Sequence, residues 1–202
     1  MSNDAVLAKP NGARPAAGRP SVTPPGAVVW LTGLSGAGKS TIAEHLSAQL
    51  TMNGCDVEYL DGDALRALFP HTGFTPAERD AHVRRVGYMA SRLERRGVIV
   101  IAALISPLRA SRAFVRELCS NFIEVYVATP LEVCEARDCK GLYARARRGE
   151  LTNFTGISDV YEPPERPEIV IDTSFVPVRQ AVELITCRLP QDMAMVGSDL
   201  GD

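Results

Sequence analysis

A glycine-rich stretch at residues 27–41, AVVWLTGLSGAGKST, constrains this chain more than any other feature. Its apolar start predicts a short buried strand, and the spacing Gly33-x-x-x-x-Gly38-Lys39-Ser40 matches the phosphate-binding loop between a strand and a helix. The glycines let the backbone turn tightly and direct N–H groups at a phosphate, and the positive end of the following helix adds to that attraction. We therefore expect a nucleoside triphosphate site; the alternative is a plain glycine turn with a solvated lysine.

The expected contacts of this loop follow from the chemistry of phosphates. Lys39 is expected to reach the β- and γ-phosphates, and the Ser40 hydroxyl is expected to bind Mg²⁺, so ATP with Mg²⁺ is the predicted phosphoryl donor. The predicted nucleotide-binding residues of the loop are Gly33, Leu34, Ser35, Gly36, Ala37, Gly38, Lys39, Ser40 and Thr41.

Composition excludes several other classes of protein. With 202 residues, 46% of them hydrophobic and 23% charged, the chain is long enough for one domain with a sizeable core. Its net charge of −2 gives no overall attraction to nucleic acid or to an anionic membrane. No apolar run reaches the roughly 18 residues of a membrane span, and the N-terminus lacks the apolar region of a secretory signal. The five cysteines lack paired metal-ligand spacing, so we expect a cytoplasmic protein with free thiols and with no nucleic-acid or membrane partner.

Strand and helix patterns alternate five times along the chain. Short apolar runs at 28–31, 57–60, 98–105, 122–127 and 168–171 predict the strands. Because this alternation builds parallel sheets, we expect an α/β fold of the P-loop NTPase type. It is a three-layer sandwich, in which a five-stranded parallel sheet carries helices on both faces and binds its ligands at the carboxyl ends of the strands.

The chain also divides into an arm, a domain and a tail. Residues 1–26 are rich in proline, alanine and glycine, which predicts a disordered N-terminal arm. The folded domain is expected at 27–189, followed by a polar tail at 190–202. Within the domain, about 138–167 is first basic and then interrupted by Gly and Pro, which predicts a mobile lid over phosphates. The alternative for this segment is a solvated helical face followed by a loop.

Two carboxylates, Asp61 and Asp63, directly follow the second predicted strand. Open α/β sheets bind ligands at this place, and a carboxylate there can accept a hydroxyl proton or hold Mg²⁺ through water. The alternative is that one of them is only the N-cap of the next helix.

The segment after these carboxylates contains a candidate ring and a basic helix. Phe74 stands beside a glycine in a loop, so it is either a base-stacking ring or a hydrophobic staple onto the next helix. A capping box at 75–78 predicts the start of that helix. Arg79, in its first turn, lies near the ligand end of the sheet and is the arginine expected to contact an anion.

Six separated stretches of the chain form a recognisable set: GLSGAGKST at 33–41, LDGD-x-x-R at 60–66, GF-x-x-x-x-R at 73–79, ISP at 105–107, C-E-x-R-D-x-KGLY at 134–143 and NFTGI-S-x-x-Y-E-x-P at 153–164. Together they are similar to the adenylylsulfate (APS) kinase family. The stretches follow the family's order over roughly residues 27–188. The resemblance implies an enzyme of sulfate assimilation, in which MgATP phosphorylates the 3′-hydroxyl of adenosine 5′-phosphosulfate and gives PAPS and ADP.

The resemblance also implies roles for individual residues. Asp63, with Asp61 beside it, looks like the residue that orients or deprotonates the 3′-hydroxyl, and Lys39 serves ATP. Phe74 and Phe154 resemble two rings that sandwich the adenine. The further contacts implied are Arg66, Arg79, His82, Ile105, Ser106, Lys140 and Asn153 on the substrate side and Arg137 on the ATP side.

Four positions leave questions about these roles. Ala64 and His82 stand where the family commonly has Asn, and Leu104 stands where it often has Phe. His82 matters most, because that Asn contacts substrate in relatives; the alternative is an ordinary helix-surface histidine. Ser106 resembles a serine that is phosphorylated in bacterial relatives, which would make it catalytic; the alternative is a cap on the following helix.

The predicted partners are the small molecules ATP and APS. The resemblance also implies a homodimer, and an ATP sulfurylase is a candidate docking partner. One alternative function is a P-loop kinase of another nucleotide or small metabolite, which a panel of acceptors would separate. The other is a non-catalytic nucleotide-binding module, against which the intact Lys39, Ser40, Asp63 and Arg66 argue.

Overall fold

The computed structural model of this chain describes residues 26–69 and 72–190. In this part of the chain the strands are β1 (Ala27–Thr32), β2 (Val57–Asp61), β3 (Ile99–Ala103), β4 (Phe122–Val127) and β5 (Ile169–Ile171). They form one sheet in the order β2-β3-β1-β4-β5, and every neighbouring pair is parallel. The predicted five-stranded parallel sheet is confirmed.

Seven helices cover the sheet in the same part of the chain. They are α1 (Lys39–Met52), α2 (Gly62–Leu68), α3 (Pro76–Glu94), α4 (Arg109–Leu118), α5 (Leu131–Arg137), α6 (Leu142–Arg147) and α7 (Val178–Thr186). In β1, Val29 and Leu31 belong to the core shared with α1 and α7, whereas Val28 and Trp30 belong to the core shared with α3 and α4. A central strand buried on both faces needs apolar residues throughout, which explains the continuous apolar run. The three-layer sandwich is therefore confirmed.

The edges of the elements differ from the prediction in a few places. The third strand ends at Ala103 and not at 105, because the chain leaves the sheet before Ser106, which has a positive φ of 39°. Gly26, expected at the end of the arm, is buried, and a Cβ there would lie 2.2 Å from the Glu94 carbonyl oxygen. The rest of the predicted arm, and the predicted tail after Pro190, lie outside the described residues. Among the described helices, none has the length and apolarity needed to cross a membrane.

Candidate active site

The predicted site residues converge on a cavity of about 590 Å³ at the carboxyl edge of the sheet. Its walls come from the loop after β1, the start of α2 after β2, residues 103–107 after β3, and parts of the predicted lid. This is the edge at which parallel sheets bind ligands. All the predicted site residues line the cavity except Gly33, Leu34, Ala37 and Asn153.

The glycines of the loop are required by the backbone and by close neighbours. Gly36 and Gly38 have φ values of 73° and 101°, which side-chain-bearing residues rarely adopt. A Cβ at Gly33 would lie 2.4 Å from the Val127 carbonyl oxygen. The loop therefore runs close to β4 and keeps the tight turn that a phosphate site requires.

Side-chain donors hold the carbonyl groups of residues 35–37. Tyr143 Oη donates to the Ser35 carbonyl at 2.8 Å, and Arg137 Nη1 donates to the Gly36 carbonyl at 3.2 Å. Thr129 and Thr173 both donate to the Ala37 carbonyl, at 3.0 and 2.9 Å. Carbonyl oxygens repel a phosphate, so donors on all three carbonyls keep the loop in a phosphate-accepting shape. Tyr143, Thr129 and Thr173 are not among the predicted site residues, although Tyr143 lies in the KGLY motif.

Lys39 supplies a buried positive charge at the base of the cavity. Its Nζ donates to the Gly33 carbonyl at 3.0 Å and to the Leu34 carbonyl at 2.7 Å. Burial lowers the pKa of Lys39 to about 8, and nearby negative groups, Asp63 among them, oppose that change only in part. The amine is still mostly protonated at neutral pH, and a bound phosphate would favour the charged form further.

The oxygens around the cavity fit Mg²⁺. The exposed Ser40 hydroxyl lines the same cavity as the carboxylates of Asp61 and Asp63. Among the described residues, no group of three or more His, Cys, Asp or Glu side chains could enclose a metal ion. Mg²⁺ does not require such a cage, because it commonly uses one or two protein oxygens together with water and substrate phosphates.

The two carboxylates after β2 have different surroundings. Asp61 is the N-cap of α2: its Oδ1 accepts from the backbone N–H groups of Asp63 and Ala64 at 2.9 and 2.8 Å, and its Oδ2 accepts from Tyr59 Oη at 3.1 Å. Asp63 is exposed and forms an ion pair with Lys140 of the predicted lid, at 2.5 Å between Oδ2 and Nζ. The helix-cap alternative thus describes Asp61, whereas Asp63 is the carboxylate that faces the lid. Catalytic roles for both stay predictions.

The two predicted stacking rings, Phe74 and Phe154, both line the cavity. Phe74 is 59% exposed and lies 4.8 Å below the Arg66 guanidinium, which also donates to the Gly73 carbonyl at 2.6 Å. The base-stacking ring and the staple onto α3 both stay predictions for Phe74. Phe154 is half-buried and meets Tyr143 edge to face at 5.0 Å between ring centroids.

Arg79 is bonded to protein groups of the lid segment. Its buried guanidinium donates to the Thr155 hydroxyl, the Asn153 carbonyl and, at 3.2 Å, Asp159 Oδ2. The predicted partner of Arg79 is a substrate anion, and Thr155 and Asp159 are not among the predicted site residues. In the structure Arg79 ties α3 to residues 153–159, and its contact with a substrate anion stays a prediction. Asn153 takes part through its backbone carbonyl.

His82 is buried, so the interpretation of a helix-surface histidine is wrong. The side chain is 1% exposed, and its Nε2 donates to the Gly62 carbonyl at 3.1 Å. Nδ1 is therefore an acceptor, and it has no hydrogen-bond partner within the described part of the chain. Burial lowers the pKa of His82, and the neighbouring Arg66 acts in the same direction. The neutral imidazole is the form that this site favours.

This burial predicts a pH dependence of stability that asparagine at position 82 should reduce. Below its ordinary pKa of about 6.5, the histidine binds a proton more readily in the unfolded chain than in the folded one, so stability falls as pH falls. One such proton changes the free energy of unfolding by at most about 1.4 kcal/mol per pH unit. Urea unfolding measured at pH 7.5 and at pH 5 should show that the free energy of unfolding falls less for His82→Asn than for wild type.

The matched control for this experiment is His45→Asn, which makes the same change at an exposed position of α1. The difference between the two variants isolates the buried imidazole. If the free energy of unfolding fell equally in both variants between pH 7.5 and 5, the prediction would be contradicted.

Ser106 is held inside the protein and does not cap the next helix. Its Oγ accepts from Trp30 Nε1 at 3.1 Å and donates to Thr32 Oγ1 at 2.9 Å. The N-cap of α4 is Leu108, with no side-chain cap. The helix-cap alternative is therefore wrong, and a catalytic role of Ser106 stays a prediction.

Comparisons with known proteins agree with this geometry. A family model described as adenylylsulphate kinase matches residues 25–172. The adenylyl-sulfate kinase of Synechococcus sp. (strain JA-3-3Ab) is 52% identical over 161 residues, which cover 79% of this chain and 92% of the relative. That of Paraburkholderia xenovorans (strain LB400) is 50% identical and covers 81% and 93%. The Mycobacterium tuberculosis APS kinase CysC, solved in complex with AMPPNP and APS, superposes with a TM-score of 0.79 at 39% identity, covering 82% of this chain and 98% of that one.

Proposed function

The chain belongs to the adenylylsulfate kinase family, and on this basis we infer that it transfers the γ-phosphoryl group of ATP to the 3′-hydroxyl of APS. The products are PAPS and ADP. The observation that carries this function is the shared cavity, in which the phosphate loop with Lys39 faces the carboxylate of Asp63 and the ring of Phe154. The relatives named above support the choice of ATP and APS.

The reaction requires positioning and charge neutralisation more than covalent chemistry. Lys39 balances negative charge on the β- and γ-phosphates, and the loop holds them through its N–H groups. Asp63 orients the 3′-hydroxyl and accepts its proton as the oxygen attacks phosphorus. Lys140 reaches Asp63 from the lid, so the same segment can close over the transferring group and exclude water.

We also propose that Mg²⁺ accompanies ATP. Ser40 would hold it directly, and Asp61 or Asp63 through water, while the ion would neutralise charge between the phosphates. A cytoplasmic location, a homodimer and docking of an ATP sulfurylase stay proposals that rest on the sequence and on the family resemblance.

A panel of acceptors tests the proposed function. ADP release should be measured with MgATP and APS, beside adenosine 5′-monophosphate and other nucleotides, with the product identified chromatographically. We expect turnover confined to APS, with PAPS as product. Turnover with another acceptor alone would keep the phosphate-loop chemistry and reject APS, whereas tight ATP binding without any turnover would favour a non-catalytic module.

Phe154→Ala is expected to weaken acceptor binding. Loss of one stacked ring costs about 1–3 kcal/mol, which raises the KM for APS and leaves ATP affinity nearly unchanged. Phe175→Ala is the matched control, because Phe175 is 84% exposed and is not among the residues that line the cavity. Steady-state kinetics with each substrate varied separately gives the answer. If Phe154→Ala raised the KM for ATP alone, the half of the cavity at Phe154 would be the ATP side and not the APS side.

A further inference from the structure

Ser106 adopts a backbone conformation that its surroundings have to maintain. It lines the cavity in the segment after β3, and its φ of 39° is uncommon for a residue with a side chain. A conformation of this kind persists where neighbouring groups fix it from several sides.

The side chain of Ser106 is fixed by a chain of buried hydrogen bonds. The Ser106 hydroxyl bonds Trp30 and Thr32, as described above. The Thr32 hydroxyl in turn donates to the Ile105 carbonyl at 2.8 Å. The same hydroxyl shares a hydrogen bond of 2.9 Å with Tyr161. These contacts join the cavity wall to β1 and to the end of the predicted lid.

The backbone of Ser106 is fixed by Arg112 of α4. Arg112 is 3% exposed, and three of its nitrogens donate to three separate segments. Nε bonds Glu124 Oε1 in β4 at 2.8 Å, Nη1 bonds the Ser106 carbonyl at 2.5 Å, and Nη2 bonds the Glu162 carbonyl at 2.6 Å. One guanidinium therefore joins the sheet, the cavity wall and the lid segment.

Glu162 is joined to the same wall by two more hydrogen bonds. Its N–H donates to the Pro107 carbonyl at 2.9 Å, and its Oε2 accepts from the Arg109 N–H at 2.7 Å. Residues 106–109, which we call the wall, are consequently joined by hydrogen bonds to the end of the lid segment at Glu162. Arg112 donates to both of them.

We propose that Arg112 is a positioning residue for the acceptor: it fixes the wall at Ser106 and the end of the lid at Glu162 relative to β4. The proposal rests on the proposed function, since it assigns this wall to the acceptor. Arg112 is absent from the residues that line the cavity, so it acts through Ser106 and Glu162. The phosphate loop is held by other side chains, namely Tyr143, Arg137, Thr129 and Thr173.

Lysine cannot reproduce this arrangement. A guanidinium presents its donors in a rigid planar fork, whereas an ammonium is a compact point charge. Arg112→Lys keeps a positive charge beside Glu124 but cannot place separate nitrogens on the Ser106 and Glu162 carbonyls.

Arg116 of the same helix provides a matched control. Arg116 pairs with Glu124 Oε2 at 3.2 Å and with Glu168 at 2.7 and 2.9 Å. It belongs to the same ionic network, and its hydrogen bonds within the described residues go to Glu124 and Glu168, not to Ser106 or Glu162. Arg116→Lys therefore disturbs the network without removing a hydrogen bond to Ser106 or Glu162.

The kinetic test compares Arg112→Lys with Arg116→Lys. We expect the first to raise the KM for APS about tenfold or more, because small misplacements of a site are costly, and to change the KM for ATP by less than about twofold. The second should change neither constant by more than about twofold. Parallel changes of both constants in Arg112→Lys, no change in either, or the same selective change in Arg116→Lys would overturn the proposal.

A second readout does not depend on the identity of the acceptor. Trp30 is the only tryptophan of the chain, it is buried, and its Nε1 bonds Ser106, so its fluorescence reports on this wall. In the ligand-free protein we expect Arg112→Lys to shift the Trp30 emission maximum more than Arg116→Lys does, because Arg116 reaches Trp30 only through the ring of Phe122. An unchanged emission in Arg112→Lys would overturn the proposal. If the wild type fails to phosphorylate APS, the proposed function fails, and the fluorescence comparison still decides whether Arg112 fixes the wall at Ser106.

Discussion

Replacing Lys39 with methionine is expected to lower kcat by about 10²–10³. The buried Nζ is a desolvated positive charge at the base of the phosphate site, where electrostatic interactions are stronger than in water. Methionine keeps the apolar stem and a similar length, and it removes the hydrogen bonds from Nζ to the Gly33 and Leu34 carbonyls. Steady-state kinetics with saturating APS measures the effect, and the thermal unfolding midpoint checks the fold.

The same variant should also change the pH profile. Because the pKa of Lys39 is lowered to about 8, the free enzyme loses the cation as pH rises through that value, and kcat/KM for ATP should decline. Lys39→Met should lack this decline. Lys140→Met is the comparison, since Lys140 is an exposed lysine of the lid segment and its loss should preserve the decline. Wild-type turnover in Lys39→Met would remove the lysine from the mechanism.

The sheet could be predicted because each strand carries its own signal. Five apolar runs alternate with helical patterns, and only a parallel sheet covered on both faces buries such runs. The phosphate loop follows the first predicted strand, so it identifies the carboxyl edge of the sheet as the ligand-binding edge. Residues that follow β1, β2 and β3 are therefore predicted to lie close together at that edge. That expectation required no knowledge of side-chain contacts, and the cavity lining agrees with it.

The partners of individual arginines could not be predicted in the same way. Arg79 bonds Thr155, 76 positions away, and Arg112 bonds Glu162, 50 positions away. A guanidinium chooses among several acceptors within reach, and that choice depends on how loops pack. For this reason the sequence predicts a substrate anion as the partner of Arg79 and predicts no contact for Arg112.

His82 is different, because a signal for its burial was present. Val86 lies on the inner face of α3, four residues after His82, and Arg79 precedes His82 by three residues. Residues three and four apart share a helix face, so this spacing places His82 on the same face as Arg79 and Val86 and predicts its burial. The interpretation of His82 as a surface residue gave too little weight to this periodicity.

Asp63→Asn is expected to lower kcat by about 10² or more and to leave ATP affinity nearly unchanged. The amide has almost the same shape as the carboxylate but cannot accept a proton from the 3′-hydroxyl. Asp63 is exposed toward the cavity and its recorded side-chain partner is Lys140, so it can exchange that partner for a substrate hydroxyl. Single-turnover kinetics separates the phosphoryl-transfer step from binding, and wild-type turnover would remove Asp63 from the mechanism.

Two further variants decide how Asp63 acts. Asp61→Asn should cost less than about tenfold, because asparagine caps a helix as well as aspartate does and the Asp61 oxygens are already bonded within the protein. An equal loss in Asp61→Asn would transfer the role of base to Asp61. Lys140→Met removes the ion pair and keeps the Asp63 carboxylate. If Asp63 served only to anchor the lid, Lys140→Met would lose as much turnover as Asp63→Asn. Proton acceptance instead requires Asp63→Asn to be the more severe, since only that variant lacks a group to which the hydroxyl proton can go.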